Sequence, residues 1–296
     1  MNIALTGASG FVAKSVKKNL CLKYTFNELI RGVHINLKNE FAILHFAGKA
    51  HDIKKVSSSS EYYNINTELT KDIFDAFLAS NAKVFITLSS VKAVADSINE
   101  PLTEVYTPNP ITHYGKSKLL AEQYILNKDI PADKRVYILR PCMIHGPGNK
   151  GNINLLYNIV KKRIPWPLGS FNNKRSFCSI DNLCFIMNEL IENENIPSGI
   201  YNIADDEPIS TNEIIDLIGE SLSRKNVILN IPKFLISSIA KVGDLLKLPL
   251  NTERLAKLTE TYIVNNSKIK TAIGKQFPIS SKEGLLKTFK SFDQNV

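Results

Sequence analysis

The sequence predicts an α/β protein: a doubly wound parallel sheet followed by a smaller mixed C-terminal region. Three observations carry that prediction. Short apolar runs alternate with helix-length amphipathic segments through the first half of the chain. A glycine-rich turn, Gly7-Ala8-Ser9-Gly10, separates the first apolar run from the first helical segment. The runs end in small, hydroxyl or proline residues: Ala47-Gly48, Ser89-Ser90 and Pro141. Those positions are the carboxyl ends of the strands, the side on which such sheets bind ligands.

Residues 2–7 form a buried strand, and a helix over Val12–Leu22 follows the glycine turn. Such a turn lets backbone amides and a helix N-terminus meet a pyrophosphate, the arrangement of a Rossmann-type dinucleotide site. A second strand over Thr25–Arg31 ends at Arg31, where an NAD site offers an acidic side chain to the adenosine ribose. An arginine there suits a 2′-phosphate, or faces solvent, so NAD and NADP both stand as cofactors. About ten residues separate this strand from the next, Ala42–Phe46, so the usual helix and strand between them are shortened or lost. His45 reads as structural. A polar loop over Ser57–Ser60 precedes a helix over Tyr62–Ser80 carrying Asn66, and Lys83–Ser90 is a strand ending in two hydroxyls. Pro101–Pro110 is a loop, Tyr114–Asn127 a helix, and Arg135–Arg140 a strand running into Pro141.

Tyr114 and Lys118 lie four apart, on one face of their helix. A free phenol has a pKa of about 10 and is a poor proton carrier at neutral pH. A neighbouring ammonium favours the phenolate, so Lys118 is expected to draw Tyr114 downward. After Asn149 the pattern changes. A helix spans Asn152–Arg163, Pro165–Gly169 is a loop, Asn172–Ser176 is a basic turn, and Asp181 caps a helix over Asn182–Glu192. Capping boxes at Ser210/Glu213 and Ser280/Glu283 start two helices. Leu235, Ile239, Val242 and Leu246 make an amphipathic stripe read as core packing rather than a membrane anchor.

Composition bounds the function. The 296 residues suffice for one large domain or two modest ones, and 44% hydrophobic with 22% charged residues is ordinary for a globular chain. No stretch approaches the roughly 20 apolar residues of a membrane helix, and the start lacks the basic region of a signal peptide. A cytoplasmic protein without a membrane partner is expected. The four cysteines and five histidines show no ligand spacing, so the cysteines read as reduced and no metal is expected. The net charge of +9 comes from dispersed lysines without a nucleic-acid motif. A solvated basic surface, compatible with a nucleotide diphosphate and not with a nucleic-acid partner, follows.

The motifs TGASGFVA, HFAG, NINTEL, LSSVK, YGKSK and RPCMIHGPGNKGN occur in this order, and together they resemble the extended short-chain dehydrogenase/reductase family, specifically its NAD-dependent nucleotide-sugar epimerases and reductases. The resemblance covers residues 1 to about 205 and continues more weakly to the end. It implies a catalytic group of Ser90, Tyr114 and Lys118, with Tyr114 the acid/base, Lys118 on the cofactor ribose and Ser90 on the reacting sugar oxygen. It implies a cofactor cleft lined by Gly7, Ser9, Gly10, Phe11, Val12, Arg31, Phe46, Ala47, Gly48, Asn66, Leu88, Tyr114, Lys118 and Pro141. Substrate contacts are implied for Lys49, Ser90, Lys92, Tyr114, Asn152, Pro167 and Arg175, the last on a phosphate of a UDP-sugar. Bidentate guanidinium–phosphate pairing suits arginine to that place.

Family members that dehydrate sugars carry an Asp-Glu pair where this chain has Val91 and Lys92, which argues against a dehydratase. The nearest subgroup is that of bacterial surface-polysaccharide enzymes resembling UDP-glucose 4-epimerases. The expected activity is a 4-epimerase of a UDP-hexose or UDP-N-acetylhexosamine. The alternative is a 4-keto reductase making a UDP-6-deoxy-N-acetylhexosamine, and a non-catalytic dinucleotide-binding regulator is a more remote one. The resemblance also implies a homodimer through helices 62–80 and 114–127. The expected division is a dinucleotide-binding domain of residues 1–150 plus about 179–204, and a sugar-binding domain of 151–178 plus 205–296.

Overall fold

The structure is a computed structural model that describes residues 1–30, 37, 39–49, 58–149, 153–247 and 250–293. Two compact units divide the chain: Met1–Cys142 with Ile180–Ala204 and Val264–Pro278, and Met143–Ser179 with Asp205–Ile263 and Ile279–Val296. Contacts place 264–278 in the first unit, where the sequence division had put it in the second, and move the first boundary back to Cys142.

The first unit is an α/β sheet. β1 (Asn2–Thr6) leads through the glycine turn into α1 (Phe11–Leu20), and β2 (Thr25–Leu29) and β3 (Ala42–His45) follow. A helical stretch then runs as α2 (Ser59–Tyr63), a π-helical turn over Asn64–Glu68 and α3 (Leu69–Ala79). The sequence reading had a polar loop through 57–60; instead Ser58 is the cap residue of α2, and Ser59 and Ser60 lie in its first turn. β4 (Val84–Leu88), a 3-10 turn over Val91–Ala93, α4 (His113–Leu126) and β5 (Arg135–Pro141) complete the first half. Six strands, the last being Gly199–Ile203, pair in parallel in the order β2-β1-β3-β4-β5 and then that last strand. Twelve residues, 30–41, separate β2 from β3. The chain winds outward from β1 to β2 and then crosses to the other side of β1 for β3. The crevice beyond the ends of β1 and β3 is therefore the switch point of the sheet.

β1 and β3 are apolar and buried along most of their length because both faces are covered. Behind β3 and β4, Phe74, Phe77 and Phe85 pack with ring centroids 5.0 to 5.8 Å apart and are fully buried. The four cysteines are reduced thiols.

The second unit holds β6 (Met143–His145) paired in parallel with β7 (Phe177–Ser179), and α5 (Ile153–Lys161). The chain returns to the first unit as α6 (Ile180–Glu192), with Asp181 inside its first turn rather than at its cap, and β8 (Gly199–Ile203). The second unit continues with α7 (Thr211–Ser221), α8 (Lys233–Leu246) and α9 (Thr252–Thr259); α10 (Ser267–Ile273) belongs to the first unit and α11 (Ser281–Asp293) to the second. Its core joins Leu156, Tyr157, Trp166, Ile214, Ile218, Leu285 and Phe289. Both capping boxes form. Glu213 accepts from Ser210 N at 2.9 Å while Ser210 Oγ accepts from Glu213 N at 3.1 Å; the Ser280/Glu283 pair does the same at 2.8 and 3.3 Å.

The amphipathic stripe of α8 is not core. Ile236, Ala240 and Gly243 make its buried face, and Leu235, Ile239, Val242 and Leu246 are exposed. The reason is local. A Cβ on Gly243 would sit 1.9 Å from the carbonyl oxygen of Leu250, so the returning chain crosses where the helix has no side chain. The bulkier stripe is turned outward. Among the described residues, no helix is long and apolar enough to cross a membrane.

Candidate active site

The glycine turn is shaped by close backbone approach. Gly7 has φ +68, and a Cβ there would lie 2.6 Å from Ala47 N and 2.7 Å from Phe46 C. The ends of β1 and β3 thus meet across a residue that must be glycine. Gly10 N donates to Gly7 O at 2.9 Å, closing the turn. No side chain caps α1 and no carboxylate lies in its first turn, so its leading N–H groups remain for an anion. Ser9 and Gly10 are exposed, and Phe11, Val12, Phe46 and Ala47 are half-buried beside them.

Below this turn runs a buried relay. Thr70 Oγ1 donates to Asn66 O at 2.8 Å, so its only proton is committed, and His45 Nε2 must donate to Thr70 across 2.9 Å. His45 Nδ1 then accepts from Thr6 Oγ1 at 2.8 Å, and Thr6 Oγ1 accepts from Ala47 N at 3.0 Å. Burial, with the Lys118 charge second, pushes His45 down to about 3 and keeps it neutral. His45 is structural, tying β1, β3 and the π-helical turn.

Asn66 is fully buried in that turn and clamps the backbone of Lys49. Its Oδ1 accepts from Lys49 N at 2.7 Å, and its Nδ2 donates to Lys49 O at 3.1 Å and to Ser117 Oγ at 3.0 Å. The Lys49 ammonium pairs with Glu61. Gly48 is wedged beside these groups, since a Cβ on it would lie 3.1 Å from Lys118 Nζ and 3.2 Å from Asn66 Oδ1.

The start of α4 explains how the end of β4 reaches it. Thr112 caps the helix by accepting from Gly115 N at 3.2 Å, and Asp96 holds Ile111 N at 2.7 Å. A Cβ on Gly115 would lie 2.3 Å from Lys92 O. The glycine inside YGKSK therefore lets the turn after Ser90 pack against α4, and Ser90 meets the Tyr114 side chain in a hydrogen bond. One turn further on, Lys118 Nζ donates to Leu88 O at 2.8 Å. Lys92 Nζ donates to Asp96 O at 2.6 Å, and Pro141 ends β5, buried.

Electrostatics at this centre differ from the sequence expectation. Burial lowers Lys118 to about 8, opposed by the carboxylate of Glu122. Tyr114 is raised, not lowered: burial dominates, the Ser90 hydrogen bond works against it, and Tyr62, edge-on with ring centroids 6.2 Å apart, adds to the rise. Helical spacing alone could not reveal the desolvation of this half-buried phenol.

Sequence reasoning missed the groups behind the lysine. Glu122 and Arg140 form a buried pair, with Arg140 Nε on Oε1 at 3.0 Å and Nη2 on Oε2 at 2.5 Å; Ser89 donates to the same carboxylate. Their signals were present: a glutamate four residues after Lys118 on the inward face, and an arginine closing the apolar run of β5. Arg31 and Asn152 lie outside the described residues. Pro167 and Arg175 belong to the second unit. Arg175 is half-buried there; its Nη1 donates to Lys257 O at 2.7 Å and its Nη2 lies 3.9 Å from Glu260. Among the described residues, no cluster of side chains could hold a metal ion.

A side-chain-free cradle at Gly7, Gly10 and Gly48, an uncapped helix N-terminus and a buried lysine beside Gly48 fit a dinucleotide with its diphosphate on α1. The fold and this crevice define a dinucleotide-binding α/β enzyme. Residues 33–204 match the model of the NAD dependent epimerase/dehydratase family, and the chain belongs to that family. Its cofactor is therefore NAD. The chain is 28% identical to a UDP-glucose 4-epimerase of Vibrio cholerae over 320 residues, covering 99% of this chain and 96% of that one. It is 29% identical over 181 residues to an N-acetyl-alpha-D-glucosaminyl-diphospho-ditrans,octacis-undecaprenol 4-epimerase of Escherichia coli O157:H7, covering 60% of this chain and 54% of the other. The crystal structure of a Bacillus cereus UDP-N-acetylglucosamine 4-epimerase superposes with a TM-score of 0.76 at 18% identity and 99% coverage of each chain, which shows the shared fold.

Proposed function

We propose that this protein inverts carbon 4 of a UDP-hexose or UDP-N-acetylhexosamine, with Tyr114 as the acid/base. The observation that carries the reading is the hydrogen bond between Ser90 and Tyr114, with Lys118 one helical turn away on the Leu88 carbonyl. The glycine turn and Gly48 would hold NAD, with Lys118 on its ribose. NAD, when bound, takes up the hydride from carbon 4 and returns it. Tyr114 removes the proton of the 4-hydroxyl, and Ser90 donates to the oxygen as it becomes a carbonyl. Return of the proton from Tyr114 after the sugar has presented its other face gives the epimer. Arg175 would bind the diphosphate. A carboxylate pair of the kind that serves elimination is absent at Val91 and Lys92, so the sugar keeps its carbon 6 hydroxyl.

The test is to incubate the purified protein with UDP-glucose and with UDP-N-acetylglucosamine, without added cofactor, and to follow carbon 4 by NMR. Inversion is expected with one of them. A parallel arm uses N-acetylglucosaminyl-diphosphoundecaprenol, the carrier named for the Escherichia coli relative. No inversion in any arm sinks the epimerase reading.

One relative favours a second reading: a GDP-6-deoxy-D-talose 4-dehydrogenase of Aggregatibacter actinomycetemcomitans, 29% identical over 228 residues, performs redox chemistry named for carbon 4. On that reading the same residues run the reaction once, as a 4-keto reductase. Consumption of NADH or NADPH with a UDP-4-keto-6-deoxy-N-acetylhexosamine, without inversion, is its signature. A homodimer through α2–α3 and α4, where Leu120 and Leu126 are exposed, completes the proposal, and light scattering after size exclusion checks it.

A further inference from the structure

Among the described residues, the outward face of α8 gathers a run of exposed large hydrophobic side chains. Phe234 is 68% exposed, Leu245 82%, Leu246 61%, and Ile239 and Val242 50% each. With Leu235 they make six large apolar side chains in a helix of 14 residues. Stepping 100° per residue, Leu235, Ile239, Val242 and Leu246 form one row, and Phe234 and Leu245 form the next, with Ser238 the polar residue among them. Scattered exposed hydrophobics are ordinary; a contiguous helical face of this kind marks an interaction surface.

Charge says what it meets. From Arg224 to Lys247 the chain carries five cations, Arg224, Lys225, Lys233, Lys241 and Lys247, and one carboxylate, Asp244. Asp244 is engaged with Thr252 N at 3.1 Å. Lys241 borders the apolar rows and Lys247 closes the helix, both exposed, whereas Lys233 at its start lies on the side of the buried row, with Nζ 5.7 Å from the Phe171 ring centroid. Size argues against a second copy held by this face alone. A helix of 14 residues is about 21 Å long and about 10 Å across, so it covers roughly 200 Å². A stable protein interface needs about 800 Å² from each partner. An apolar helical face edged by lysines has the form of helices that lie in the plane of an anionic lipid surface.

We propose that α8 docks this protein on an anionic membrane surface, its apolar rows in the headgroup boundary and its lysines among the lipid phosphates. The inference stands apart from the identity of the sugar nucleotide. It is compatible with the absence of a membrane-crossing helix among the described residues, since such a helix lies on the bilayer.

The test is co-sedimentation of the full chain with vesicles of phosphatidylcholine alone and of phosphatidylcholine with 30 mol% phosphatidylglycerol, at low and high salt. Wild type should bind the anionic vesicles about tenfold or more tighter than the neutral ones, and lose that preference in high salt. I239E/V242E should lose binding about tenfold or more; K241E/K247E should abolish the preference for anionic lipid. L245S, at the most exposed position, serves if the double acidic variant does not fold, and should weaken binding severalfold. Wild type that stays in the supernatant with every vesicle overturns the proposal. So do variants that bind like wild type, or an apolar-face variant that changes the oligomeric state in light scattering while vesicle binding is unchanged. That last result would assign the face to a second copy.

Discussion

Replacing Lys118 by methionine keeps most of the side chain's length and removes its ammonium. The ammonium is costly where it sits: burial brings its pKa from 10.5 to about 8. At about 1.4 kcal/mol per unit, that is a penalty of roughly 3 kcal/mol at neutral pH. Against it stands the hydrogen bond from Nζ to Leu88 O, 2.8 Å long, whose loss costs about 1–2 kcal/mol. K118M should therefore be more stable than wild type by roughly 1–2 kcal/mol at pH 7, and, with Lys118 proposed to hold the cofactor ribose, it should be inactive. The sign of the pH dependence is fixed by the direction of the shift. The unfolded lysine keeps its proton up to about 10.5 and the folded one releases it above about 8. Between those values the unfolded chain binds more protons, so wild-type stability rises with pH through that window. K118M lacks this rise, and its advantage should shrink to nothing or reverse by about pH 10. Urea unfolding of both proteins at pH 7, 9 and 10 reads this directly, since all other titrations cancel in the difference. A variant less stable than wild type at pH 7, with a difference that does not move with pH, would refute the reasoning.

Tyr114→Phe should lower kcat by at least about a hundredfold while NAD stays bound, as judged by nucleotide released on denaturation; turnover at the wild-type level would remove Tyr114 from the mechanism. Ser90→Ala should move the ascending limb of the pH–rate profile to more alkaline pH, because the Ser90 hydrogen bond works against the burial that raises Tyr114; an unmoved limb would show that Ser90 does not act on the phenol. Gly7→Ala forces a residue with a Cβ into φ +68 against Ala47 N at 2.6 Å, and should destabilise by about 2–4 kcal/mol with loss of dinucleotide binding in calorimetry. Ser210→Ala removes one half of the capping box of α7 and should cost about 1 kcal/mol, seen as a lower Tm.

What was legible in the sequence is what spacing and local chemistry decide. The glycine turn, the small residues at strand ends, the tyrosine–lysine pair and both capping boxes are relations over a few residues, and each could be read in one dimension. The face that α8 buries could not. Two rows on that helix share the helical period, Leu235/Ile239/Val242/Leu246 and Ile236/Ala240/Gly243, and the more apolar one looked like core. The choice belongs to the chain returning at Leu250, which needs the bare backbone of Gly243. Asn66 is read from the sequence as lining the cofactor; its amide also clamps the backbone of Lys49 and meets Ser117, contacts between distant segments that spacing does not reveal.

The reversal at Tyr114 belongs to the same class, and its resolution lies in the charge balance of the buried site. Glu122 is matched by Arg140 through two nitrogens and also accepts from Ser89, so its charge is largely committed behind the lysine. Of the three buried ionic groups, Lys118, Glu122 and Arg140, two are cations, which leaves one positive charge in excess beside the phenol. The field of that excess is visible on His45, where the Lys118 charge adds to burial in holding the imidazole neutral. Loss of a proton from Tyr114 would bring the cluster to neutrality, and loss from Lys118 would do so by leaving a neutral amine on the Leu88 carbonyl. Burial makes proton loss costly for Tyr114 and easier for Lys118, and the serine hydrogen bond is what favours ionisation of the tyrosine. Spacing put the tyrosine and the lysine on one helix but carried no sign of the burial that raises one and lowers the other. Burial sets the resting phenol above its ordinary range, and the Ser90 hydrogen bond opposes that rise.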